Sequence, residues 1–289
     1  MSISVYPKES NFDAVIDGET RPIKPFLKWP GGKRWLVKQH AYLFQRTEKR
    51  HVEPFLGGGA VYLHVQPKDA LLSDLNPDVI SIYSAIKESW RAVVELLRMH
   101  QSCHSDVYYY KVRELIPRDP IERAARILYL NRTCFNGIYR VNLQGKFNVP
   151  KGTKTKVILA DDDFEAVAGL LKSATINHCD FEDTLSRCDI GDFVFCDPPY
   201  TVRHNKNGFI KYNENLFSWW DQQRLAEALK SAHMRGADIL CTNADHESVR
   251  NLYDTKLFEI FTVSRFSSIS ASAESRRHFT ELVIRSRRN

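Results

Sequence analysis

The 289-residue chain is 43% hydrophobic and 26% charged, which excludes a largely disordered protein and leaves room for one large domain or a core with one insert. No apolar run nears the ~20 residues a bilayer requires, and Glu9, Asp13, Asp17 and Glu19 stand where a secretory leader would be apolar, so neither a span nor a leader is expected. The net charge of +6 is unevenly spread: residues 21–50 hold nine Lys/Arg against one Glu, residues 108–156 eleven against three acids, and residues 265–289 six against two. Such segregation suits a polyanion such as nucleic acid, or a set of solvated basic faces scattered over the fold.

In chain order, residues 1–24 are mixed polar and read as an N-terminal arm. A short strand over His51 to Pro54 runs into Gly57-Gly58-Gly59, and Ala60 to Val65 starts a helix. Ala70 to Ser73 is an apolar run ending at Asp74, as in a buried parallel strand. Asn76 caps the next helix with Pro77 at its first position. Tyr108 to Leu130 is helical in period, broken by Pro117 and Pro120. Two segments, 138–141 and 146–149, flank Gln144-Gly145 as a β-hairpin or a similar basic loop.

Strands follow at Ala174 to Cys179, at Asp192 to Cys196 ending on Asp197, and at Asp238 to Thr242. Ser218 with Asp221 caps a helix through Ala232, and His246 to Tyr253 forms another. Phe258 to Arg265 and Phe279 to Arg285 close the sheet as an antiparallel pair. This alternation predicts a doubly wound α/β sheet, over residues 25–96 and 157–289, interrupted by a basic insert over 97–156. The six cysteines form no CxxC pair and read as reduced thiols of a cytoplasmic protein. His51, His64, His178, His204 and His246 lack metal-ligand spacing, so no metal is expected.

Ligands of open α/β sheets bind beyond the carboxyl ends of the strands, where two motifs fall. Glu53 to Gly59 followed by Asp74 gives strand, Gly loop, helix, strand, acid: a nucleoside site whose carboxylate can hold ribose hydroxyls, or a plain structural turn. Asp197-Pro198-Pro199-Tyr200 follows an apolar strand. Two prolines fix a rigid turn and donate nothing, so Asp197 and the Pro198 carbonyl can accept both protons of one NH2 group while Tyr200 stacks on its ring. Adenine's amine is a poor nucleophile because its lone pair is conjugated. Hydrogen bonds to both protons favour a pyramidal nitrogen and free that pair for a methyl acceptor role. The competing reading is a rigid turn with a core tyrosine.

With these motifs in place, the sequence resembles the DNA adenine-N6 methyltransferases of the Dam type, over residues 25 to 285. Phe26-Leu27-Lys28-Trp29-Pro30-Gly31-Gly32-Lys33 is similar to the family's first cofactor motif, with Pro30 where many relatives have Ala. Val52 to Gly59 is similar to its Gly loop, and Asn131 to Gly137 with Arg140-Val141-Asn142 and Phe147-Asn148-Val149-Pro150 to its DNA-reading hairpin. Asp197 to Tyr200 is similar to its catalytic tetrapeptide.

The resemblance implies a Rossmann-like methyltransferase sheet, a mainly helical DNA-recognition insert with a hairpin, and S-adenosylmethionine as cofactor. Trp29, Lys33, Glu53, Phe55, Gly57, Gly59, Asp74, Asp180, Phe181 and Asp197 are then expected around the cofactor, and Asp197, Pro198 and Tyr200 around a flipped adenine. Arg132, Phe135, Asn136, Arg140, Asn142, Lys146, Asn148 and Lys151 are expected on double-stranded DNA. Arg140 suits a guanine edge, the lysines phosphates, and Phe135 either a wedge between base steps or a core position. Ser267 to Arg277 reads as a phosphate-contacting loop or a linker.

The site implied is GATC or another GAT-containing sequence. The alternatives are N4-cytosine methylation, where Ser more often replaces Asp197, and an inactive DNA-binding relative. The chain is expected to be a monomer of bacterial or phage origin, with any restriction endonuclease on a separate chain.

Overall fold

A computed structural model describes residues 22–44, 49–142, 144–201, 217–265 and 279–287. The N-terminal arm before Pro22 and the loop 267–277 lie outside the described residues. Helix α1 (Arg34–Gln39) precedes strand β1 (Arg50–Glu53), α2 (Ala60–Val65), β2 (Ala70–Asp74) and α3 (Pro77–Ser102). Helices α4 (Asp106–Glu114) and α5 (Pro120–Thr133) follow, then α6 (Phe164–Leu171), β3 (Ala174–His178), α7 (Phe181–Leu185) and β4 (Asp192–Cys196). The chain continues with α8 (Trp219–Met234), β5 (Asp238–Ala244), α9 (Glu247–Arg250), β6 (Phe258–Arg265) and β7 (Phe279–Ser286).

The seven strands form one sheet in the order β3-β2-β1-β4-β5-β7-β6. Strands β1 to β5 pair in parallel, while β7 inserts antiparallel between β5 and β6. This is the Rossmann-like methyltransferase sheet, with the strand order reversing beside β1 and β4. Period-two alternation sorts the side chains onto two faces. Val194, Cys196, Ile239 and Leu282 pack with α7, α8 and α9, while Phe193, Phe195, Leu240 and Val283 pack with Leu36 and Val61 of α1 and α2. Further along that second face Ala70 and Leu72 meet α3, α5 and α6.

The caps anticipated from the sequence are present. Asn76 accepts from the Asp78 amide ahead of Pro77, and Ser218 with Asp221 forms a reciprocal capping box. Helix α9 stops at Arg250 rather than Tyr253. The expected 96/97 boundary falls inside α3, which runs to Ser102 with its one non-helical residue at Ser89. The insert therefore shares the hydrophobic core that covers β2, through Ala124, Ile127 and Leu128 packed with Ile82 and Ile86.

Candidate active site and nucleic-acid interface

The cofactor end is built by the turns after β1 and β2. Gly57 and Gly59 adopt φ of +46° and +59°, the left-handed region that glycine alone enters without strain. A Cβ at Gly57 would lie 2.7 Å from the Trp29 indole, and one at Gly59 2.5 Å from the Tyr83 hydroxyl. The loop thus makes a cradle with no room for side chains. Asp74 closes it: Oδ2 accepts from the Gly57 amide at 2.9 Å and Oδ1 from the Asn76 amide at 2.8 Å. Burial pushes the Asp74 carboxyl above its ordinary range, and those backbone donors oppose the shift. Beside it the Phe55 and Phe181 rings stack at 5.5 Å, and Leu75 is 61% exposed. A bare cradle, an oriented carboxylate and an apolar wall fit a nucleoside-bearing cofactor.

Two expected cofactor residues are placed differently. Glu53 is buried under the loop, where Oε1 meets His51 Nε2 at 2.9 Å, so it supports the cradle from below. Asp180 caps α7 and pairs with Arg224 at 2.9 Å, which commits its Oδ1 to the protein.

The second turn, after β4, carries the reactive corner. Asp197 Oδ1 meets Lys33 Nζ at 2.8 Å and accepts from the Thr242 hydroxyl, also at 2.8 Å. Both contacts fall on Oδ1, so Oδ2 keeps its lone pairs. The Lys33 side chain is only 4% exposed and also approaches Glu281 Oε2 at 3.3 Å. Burial works against the Lys33 ammonium, but Asp197 and Glu281 outweigh it and raise its pKa. Burial likewise lifts Asp197 above the usual carboxylate range, with Lys33 holding it back. Tyr200 donates to Glu281 Oε2 at 2.9 Å, and Lys33 Nζ sits 5.1 Å from the Tyr200 ring centre.

Gln222, buried in α8, donates to the Pro199 carbonyl at 3.2 Å and accepts from Asn243 at 2.9 Å. One carbonyl of the proline pair is thereby tied down. The sequence reading brought Lys33, Asp197 and Tyr200 into view but missed Thr242, Gln222, Asn243 and Glu281. Their only sequence signal is a polar residue in or beside an apolar strand or helix face.

The hairpin region is a loop with two isolated antiparallel bridges, Cys134 with Lys151 and Val141 with Phe147. Tyr139, Phe147 and Val149 point into the core, while Phe135, Asn136, Arg140 and Lys146 face solvent. Phe135, 54% exposed, is therefore not a core aromatic. Asn136 holds φ of +55°, turning the chain at the loop tip. Arg140 Nε donates to Asn148 Oδ1 at 2.9 Å, which braces the guanidinium and leaves its two terminal nitrogens facing out. Asn142 Oδ1 accepts from the Gln144 and Lys146 amides and holds its own turn. Lys151 pairs with Asp106 at 3.0 Å. Asn136, Gly137 and Ile138 of this loop line a cavity of about 230 Å³ together with Lys28, Trp29 and Pro30.

Arg132, expected on DNA, is enclosed by protein. Its side chain is 1% exposed and pairs with Asp162, while also donating to the Val157 and Phe26 carbonyls. Neighbouring Asn131 exchanges two hydrogen bonds with the Lys28 backbone, at 3.0 and 2.8 Å. These two residues clasp the Phe26–Lys28 segment onto α5, and of the Arg132 guanidinium only the buried Nε is left without a hydrogen-bond partner among the described residues.

Among the described residues no group of three or more His, Cys, Asp or Glu side chains is arranged to hold a metal, and no helix is long and apolar enough to cross a membrane.

Comparison with known proteins agrees with this geometry. A family model described as D12 class N6 adenine-specific DNA methyltransferase matches residues 29–269. The type II methyltransferase M1.LlaDCHI of Lactococcus lactis subsp. cremoris is 34% identical over 271 residues, covering 91% of this chain and 95% of the relative. The DNA adenine methylase of Haemophilus influenzae is 33% identical over 266 residues, covering 90% and 92%. That of Escherichia coli K12 is 32% identical over 264 residues, covering 90% and 94%. With a nucleoside cradle, an anchored acidic corner and relatives matched along almost their whole length, the chain belongs to the D12 class of N6 adenine-specific DNA methyltransferases.

Proposed function

We propose that the protein methylates N6 of an adenine turned out of duplex DNA, at GATC or another GAT-containing site, with S-adenosylmethionine as donor. The observation that carries this reading is the one-sided anchoring of Asp197, whose Oδ1 is fixed by Lys33 and Thr242 while Oδ2 keeps its lone pairs. When bound, the cofactor supplies an electrophilic methyl group on a sulfonium. Asp74 is suited to the ribose hydroxyls, with Trp29, Phe55, Phe181 and the glycines Gly57 and Gly59 as walls. Oδ2 and the Pro198 carbonyl each accept a hydrogen bond from one N–H of the target amine, and Tyr200 provides the stacking face. Such a preorganised pair of acceptors favours the pyramidal nitrogen at no reorganisation cost. Paired adenine presents its amine inside the duplex, so a recessed corner of this kind demands extrusion.

Arg140, braced by Asn148, is the residue suited to a guanine edge, and Lys146 and Lys151 to phosphates. The protein is read as a monomer working on DNA in a bacterial cytoplasm, where its six free cysteines stay reduced. Incubation with labelled donor and unmethylated DNA, then digestion to nucleosides, tests the chemistry. Labelled N6-methyldeoxyadenosine is expected, and label on N4 of cytosine instead would overturn it. Replacing the target adenine by 2-aminopurine tests extrusion through a rise in fluorescence on binding. Sequencing of methylated bases in an expressing host gives the site.

A further inference from the structure

We propose that Glu281 is a positioning residue for methyl transfer, carried into the reactive corner by β7 to hold Tyr200 and Lys33 together. The inference rests on the reading of Asp197 and Tyr200 given above. Glu281 lies opposite Ala244 of β5 and Val263 of β6, at the end of β7 nearest the catalytic turn. A single oxygen, Oε2, receives the Tyr200 hydroxyl at 2.9 Å and faces Lys33 Nζ at 3.3 Å. Its side chain is 13% exposed, so the contacts are made away from bulk water.

Two physical consequences follow. A phenol ring stacked on an extruded base must keep one plane, and its hydroxyl tie to Glu281 fixes that plane from the far end of the ring. Without that acceptor the buried hydroxyl would seek another partner, and Asp197 is close by. Second, Lys33 is shared between two carboxylates. If Asp197 were its sole partner, the cation would neutralise the very group that must accept from the amine. With Glu281 drawing on the same ammonium, two carboxylates and one cation leave the corner with one net negative charge. That charge complements the positive charge that develops on the amine nitrogen as it gains its methyl group. The parallel strands end in cofactor and substrate groups, and the antiparallel insertion supplies the brace between them.

Single-turnover methylation of a duplex, measured with Kd for donor and for DNA, tests the proposal on Glu281→Ala, Glu281→Gln, Tyr200→Phe and the double variant Glu281→Ala/Tyr200→Phe. Glu281→Ala is expected to slow the single-turnover rate by roughly 30-fold or more, with both Kd values within about threefold of the parent. Glu281→Gln keeps an acceptor for the tyrosine but not the charge, and should recover part of the loss. Because Tyr200→Phe removes the same hydrogen bond, the two losses should be less than additive in the double variant. A Glu281→Ala rate within twofold of the parent, a loss confined to donor or DNA affinity, or full additivity with Tyr200→Phe would overturn it. If Glu281→Ala does not fold, Glu281→Gln at the parental rate overturns it equally. A parent enzyme that makes no N6-methyladenine refutes the underlying reading instead, so the two failures are told apart.

Discussion

The corner around Asp197 and the loop of residues 134–151, which we propose for catalysis and for DNA reading, are built on opposite plans. In the corner, partners come from distant parts of the chain. Lys33, at the start of α1, meets Asp197 and Glu281 at ion-pair distance and Asp197 accepts from Thr242, all mostly buried beside strands of one sheet. In the loop, the outward-facing groups are held mostly by neighbours: Asn142 holds its own turn, Asn148 braces Arg140, and isolated bridges join the two arms, while Lys151 reaches further, to Asp106. The corner is therefore rigid and intolerant, whereas the loop keeps its reading groups exposed and free to adjust to a groove. Chemistry demands a fixed geometry, while recognition demands reach.

Substitutions can break or sharpen that contrast. The largest effect is expected from Asp197→Ala, which should reduce methylation by at least about 1,000-fold while duplex affinity stays near the parent; residual activity above a few per cent would show that the corner is not the reacting centre. Next comes Arg132→Ala. Breaking a buried ion pair of this kind costs about 3–5 kcal/mol, so denaturant unfolding should show a loss of that order, since Asp162 would be left buried and unpaired. A drop in DNA affinity without a drop in stability would return Arg132 to the interface.

Acidification probes the same corner. Asp197 offers a charged, strong acceptor only when ionised, and its folded pKa is raised by burial. The rate should accordingly fall, as pH is lowered, at a higher pH than an ordinary carboxylate would give. Lys33→Met removes the cation that holds that pKa down, so the acid limb should move further up. An unmoved limb in the pH–rate profile would disconnect the two groups. Arg140→Ala should cost about 1–3 kcal/mol of discrimination at one base pair, seen in competition between cognate and single-substituted duplexes. The smallest effect belongs to Lys146→Ala: a uniform weakening on all sequences and a shallower salt dependence, by about one unit of slope. A sequence-selective loss at Lys146 would make the loop's lysines readers rather than anchors.

Most of the sheet could be read before any coordinates, because its signals are local. The apolar runs that end at Asp74 and Asp197, the Asn76-Pro77 start and the Ser218/Asp221 box all stand within a few residues of the structure they specify. The site was half legible for the same reason. Gly57, Asp74, Asp197 and Tyr200 belong to compact motifs. Glu281 is 84 positions from Asp197 and acquires meaning only when β7 slips between β5 and β6, a pairing that no local period encodes. Arg132 shows the opposite case. The motif around it implies a DNA contact, but burial decides what an arginine can reach, and burial is a property of the packed helix pair α3 and α5. The expected 96/97 boundary lies within α3, whose end at Ser102 no change in composition marks.

The order of the strands also bears on synthesis. Strand β6 leaves the ribosome before β7, yet of the two only β7 pairs with β5. Until residues 279–286 emerge, the nascent sheet has an open flank in its interior, and Leu282, Val283 and Ile284 are not yet there to seal it. A polypeptide terminated by a premature stop codon upstream of that segment would leave β5 with a bare edge, and so would be a substrate for proteases or chaperones.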